Sequence, residues 1–179
     1  MSSESIGGQP EGLIAGAEDP HAPRSAVCRL KVSGDTCVTL WHGVDCEAGT
    51  TPECKLQLSP ERPAIIGRAE GHQVHYLDPA FRPTRLVPGT GQNIMQSAGH
   101  GSDLYVSRGH FMLRAACHGV LLVNGVPRPG GGLRAPRNGT RMVVPERRDM
   151  TAGEEYRIDS GAMAVIVLPN GAEVQISAE

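Results

Sequence analysis

Short strand-like runs alternate with turn signals along most of this chain. In Val27-Cys-Arg-Leu-Lys-Val32 and Thr36-Cys-Val-Thr-Leu-Trp41 the period is two, and Ser33-Gly34-Asp35 lies between them, which predicts a hairpin. Further strands are predicted at 55–58, 64–66, 74–77, 104–106, 111–115, 120–123, 140–144, 155–158 and 162–168. Pro169-Asn170-Gly171 then turns the chain into 173–176, a closing hairpin. No longer stretch carries helical periodicity, so the pattern predicts an all-β sandwich or barrel of mostly antiparallel strands. Two segments break the rhythm. Residues 78–102 are rich in Pro and Gly and read as a long loop insertion, and 124–132 is a second turn-rich excursion.

Composition sharpens this picture. The 23 Gly and 14 Pro would break or shorten most helices. With 3% aromatic residues, the core must draw on Val, Ile, Leu and Met. A chain of 179 residues fits one domain, burying roughly two-thirds of its unfolded surface. Residues 1–25 are rich in Ser, Gly, Pro and Glu, with Glu4, Glu11, Glu18 and Asp19 preceding the first basic residue, Arg24. Such a segment buries too little apolar surface to order itself, so a disordered tail followed by a domain at 26–179 is expected.

Charge and cysteine usage exclude several classes. The net charge of −2 excludes a broadly basic nucleic-acid binder, although 15 of the 17 basic residues are Arg, the better bidentate partner for phosphate. The start of the chain lacks the basic and apolar regions of a signal peptide, and the longest apolar run, 162–168, is too short to span a bilayer. A cytoplasmic chain with no membrane or nucleic-acid partner is therefore expected. The five Cys contain no CxxC pair and read as small buried hydrophobes. His72-x-x-His75 has ligand-like spacing but no second ligand pair, so neither metal nor cofactor is expected.

Candidate chemistry lies in three motifs at strand ends or loops, where binding residues concentrate. They are Gly67-Arg68, then Ser107-Arg108-Gly109-His110 within Asp103-Leu-Tyr-Val-Ser-Arg-Gly-His, then Asn138-Gly139-Thr140. Together they supply guanidinium groups, a hydroxyl and a primary amide. Guanidinium and hydroxyl suit a tetrahedral dianion, and an amide can pair with a peptide main chain. Ser107 and His110 stand three apart with no nucleophile-elbow sequence, so catalysis is not expected.

In order and type, these motifs resemble the forkhead-associated (FHA) domain family, phosphothreonine-peptide readers, over about residues 26–178. The resemblance implies a β-sandwich of two mostly antiparallel sheets, about eleven strands, with loops at one end forming the site. It implies that Arg68 and Ser107 contact phosphate oxygens, that Arg108 flanks them, and that Asn138 binds the peptide backbone. His110 would brace the loops, and Gly67 and Gly139 would support the site, Gly139 by adopting positive φ. The chain departs from the family in its long Arg68–Ser107 and His110–Asn138 separations, and in carrying Arg137 where Ser or Thr is common; Arg137 would either add to the anion site or mark a pocket of altered specificity. Asn124-Gly125 is a competing Asn-Gly, but the strand and turn that follow Asn138 favour Asn138.

Two functions remain open at this point. One is a monomeric phosphothreonine-binding module in kinase-dependent signalling. The other is an FHA-like scaffold for phosphate-independent protein interaction or self-association.

Overall fold

The computed structural model describes residues 25–33, 39–42, 53–68, 74–77, 83–86, 93–96, 105–128 and 130–179. The side chains of Ser33, Cys54, Arg68 and of residues 39–42, 74–77, 83–86 and 93–96 lie outside this set. So do residues 1–24, which hold nearly all of the expected tail, together with Cys37, Cys46 and His72.

The described chain is all-β, its strands paired antiparallel and labelled here in chain order. One six-stranded sheet runs β13 (Arg148–Asp149), β12 (Arg141–Val144), β15 (Met163–Val167), β16 (Glu173–Ala178), β1 (Ala26–Ser33), β3 (Glu53–Leu58). The other runs β14 (Glu155–Asp159), β9 (Gly119–Val123), β8 (Phe111–Ala116), β4 (Ala64–Arg68), β2 (Thr39–His42), β7 (Asn93–Gln96). Two ribbons complete it, β5 (Val74–Leu77) with β6 (Pro83–Leu86) and β10 (Val126–Pro127) with β11 (Leu133–Arg134).

Period-two alternation is what joins the large sheets. In β1, Cys28, Leu30 and Val32 are buried while Arg29 and Lys31 are exposed. Their inner face meets Ala64, Ile66, Phe111, Leu113, Val120, Leu122 and Ile158 of the second sheet in one cluster. Two antiparallel sheets sharing such a core are consistent with a β-sandwich. Apart from Phe111, the largest fully buried side chains are Leu, Ile and Met. The closing hairpin forms as the pattern predicts, β15 against β16 with Gly171 at φ +86° in its turn.

Three expectations need correction. The first hairpin does not form. β1 spends both hydrogen-bonding edges on β16 and β3, and β2 pairs with β4 and β7 in the other sheet. Residues 105–106 form a turn, because Val106 is inserted fully into the core as an anchor. Residues 78–102 are not without strands: β6 pairs with β5, and β7 forms an edge of the second sheet. Pro83 is tolerated because it opens its strand.

The 124–132 excursion is also organised. It leads through β10 into β11, and Val126 is buried with Ile65, Met112 and Val123. Those three residues alternate with core residues along β4, β8 and β9, so the ribbon folds against the outer face of the second sheet.

Candidate functional site

The loop before β8 is held at both ends. Val106 anchors it in the core, and the His110 N–H donates to the Ile66 carbonyl of β4 at 2.9 Å. Its middle lies directly on Gly67. A Cβ built at Gly67 would sit 1.9 Å from the Arg108 carbonyl oxygen and 2.6 Å from that of Ser107. Glycine is required here for close approach of two backbones, and this contact joins the first two motifs.

Beneath the loop runs a directional chain of hydrogen bonds. The Ser107 N–H donates to His110 Nδ1 at 3.1 Å, so the ring's proton must sit on Nε2. Nε2 then donates to Thr140 Oγ1 at 2.9 Å, and the Thr140 hydroxyl donates to Asn124 Oδ1 at 2.8 Å. Asn124 Nδ2 finishes the chain on the carbonyls of Met150, at 3.2 Å, and Thr151, at 2.9 Å. His110, Thr140 and Asn124 are the buried polar residues of the described chain, and each finds partners in this relay. Burial pulls the His110 imidazole down to about 4, which keeps it neutral at neutral pH. The far end is braced in turn: Glu154 accepts the Thr151 N–H at 2.9 Å and pairs with Arg148, whose guanidinium holds the carboxyl below its ordinary range.

At the surface, two side-chain contacts stitch the second motif to the third. The Arg137 N–H donates to Ser107 Oγ at 2.8 Å, and Asn138 Nδ2 donates to the Tyr105 carbonyl at 2.7 Å. Ser107, Arg108, Arg137 and Asn138 therefore share one surface, with Arg108, Arg137 and Tyr105 exposed. Ser107 Oγ accepts one bond and keeps its own proton to donate outward. Asn138 keeps its carbonyl oxygen and a second N–H. Arg137 has no side-chain ion pair among the described residues. The backbone of Arg68 lies next to Gly67 at the end of β4, and its side chain is outside the described set.

Both Asn-Gly pairs now have distinct places. Asn124 is buried with its amide consumed in the relay, whereas Asn138 lies at the surface beside Ser107. Gly139 departs from expectation: it does not adopt positive φ, and a Cβ there would meet nothing within 4 Å. Its backbone stays where any residue is comfortable. Sequence reading assigned no role to Thr140 or Asn124. The only hint was that His110 would need a buried partner, and nothing in the spacing of 30 or 14 residues names one.

Other chemistry is sparse. Among the described residues no three His, Cys, Asp or Glu side chains gather as a metal site. Cys28 is buried, with its thiol pushed up to about 12, so it remains protonated and unreactive. No helix among the described residues is long and apolar enough to cross a membrane. Comparison with protein-family models, curated proteins and solved structures returned no match.

Proposed function

We propose that this chain is an FHA-like module that binds phosphothreonine-containing peptides and serves kinase-dependent recruitment. The observation that carries the reading is the junction at Ser107. Its hydroxyl is oriented by the Arg137 N–H and still has a proton to give, and Asn138 is tied to the same loop two residues away through Tyr105. In this reading Ser107 donates to a phosphate oxygen, while Arg68, Arg108 and Arg137 supply positive charge. Asn138 uses its remaining amide groups on the peptide backbone, and the His110 relay keeps the loop rigid before the ligand arrives. The twelve strands of the two large sheets compare with about eleven in the FHA family.

Isothermal titration with one peptide sequence, carrying either phosphothreonine or threonine, tests the proposal. The phosphorylated form is expected to bind at least tenfold more tightly, and Ser107→Ala to remove about ten- to a hundredfold of that affinity, the worth of a hydrogen bond to a charged group. Equal binding of both peptides would contradict the phosphate reading and leave the phosphate-independent scaffold in its place.

A further inference from the structure

The β10–β11 ribbon belongs to none of the three motifs, yet it touches one of them. A Cβ built at Gly109, inside the Ser107–His110 loop, would lie 3.1 and 3.2 Å from the two Val126 methyls and 3.5 Å from Arg134 Nη2. Val126 is fixed in the small cluster on the outer face of the second sheet. Gly125, at φ +143°, lets the backbone pass beneath the Arg134 carbonyl, 2.8 Å from where its own Cβ would be. The guanidinium of Arg134 is thus delivered to the recognition loop by an anchored element.

Its charge is not consumed there. Arg29, Arg114, Arg141, Arg148 and Arg157 each pair with a carboxylate. Arg134 and Arg137 pair with none among the described residues, although the whole chain has a net charge of only −2. Arg137 already stands at Ser107, where one phosphate would sit. Arg134 stands farther along, beside Gly109.

We infer that Arg134 forms a second anion subsite, so that the preferred phosphothreonine peptide carries another negatively charged side chain nearby. This rests on the phosphothreonine reading and adds the ligand class to it. Two residues of loop plus the Gly109–Arg134 contact span no more than about 12 Å, which is the reach of about three extended residues. The second anion therefore lies within about three residues of the phosphothreonine. A carboxylate or a second phosphate would satisfy the same guanidinium.

The test uses the full chain and fluorescence anisotropy with four versions of one otherwise neutral peptide. They carry threonine, phosphothreonine, phosphothreonine with Glu scanned through the flanking positions, and phosphothreonine with phosphoserine scanned likewise. A second anion at one or more positions is expected to tighten binding by roughly two- to fivefold, a gain that shrinks as salt is raised. Arg134→Gln should abolish the gain and leave the singly phosphorylated peptide within about twofold of the parent value. Arg29→Gln, which removes the same charge from the other sheet, should keep the gain. Gain from Glu shows that a carboxylate suffices, and gain from phosphoserine alone makes the ligand doubly phosphorylated; both support the subsite. Absence of any gain in the parent overturns it, as does an Arg134→Gln variant that weakens the singly phosphorylated peptide equally. Either result leaves the phosphothreonine reading intact. Equal binding of the threonine and phosphothreonine peptides removes that reading, and the subsite with it.

Discussion

His110 illustrates how a single residue links stability to the site. Its ring is buried, and both nitrogens are committed, Nδ1 as acceptor and Nε2 as donor. A second proton on the ring would face the Ser107 N–H and break that contact. The folded value of about 4 lies below the 6.5 of a free histidine, so between those limits the unfolded chain binds the extra proton. Stability therefore rises with pH through this window. The contribution is complete above about pH 6.5, falls as pH drops towards 4, and amounts to about 3 kcal/mol. Urea unfolding across this range should show that slope, and His110→Gln should flatten it; a parent profile that is flat there would contradict the burial. Nitrogen NMR at pH 6 should find the proton on Nε2, and a proton on Nδ1 would break the relay as described.

Among the elements, the contact between β4 and the Ser107 loop is the most exacting. Gly67→Ala forces a methyl into the carbonyls of Ser107 and Arg108, and such overpacking costs about 1–3 kcal/mol. The displaced loop should also bind phosphopeptide more weakly. Gly139→Ala, with open space around it and no positive φ, should change stability by no more than about 0.5 kcal/mol. Urea midpoints of the two variants check the pair, and equal losses would contradict the geometry. β1 and β16 were legible because their apolar faces alternate cleanly, and β8 and β9 because each is a short apolar run bounded by turn signals. The pairing of β1 was not, since a local turn signal at 33–35 cannot weigh the distant β16 and β3. β7 was hidden because Asn93 and Gln96 dilute its apolar pattern, and Val106 looked like strand because an isolated core anchor has the same chemistry.

At the scale of the whole molecule, the three motifs were visible as motifs but their meeting was not. Gly67, Ser107 and Asn138 converge through a backbone contact and two hydrogen bonds that no spacing in the chain encodes. The relay beneath them was also hidden, because Thr140 and Asn124 are buried where β12 meets β15 and β9 meets β14, pairings between segments distant in sequence. The shared aliphatic core holds the two loops in register, so Leu30→Ala, fully buried in β1, should destabilise by about 2–5 kcal/mol while leaving the preference for phosphate unchanged below the unfolding transition. Thermal unfolding and peptide titration of that variant check both halves. The most direct measurement is the paired titration of the intact chain with a phosphothreonine peptide and its threonine counterpart, repeated on Ser107→Ala. The expected result is a preference of at least tenfold for phosphate that collapses in the variant; equal affinity for both peptides, or a preference untouched by Ser107→Ala, would contradict it.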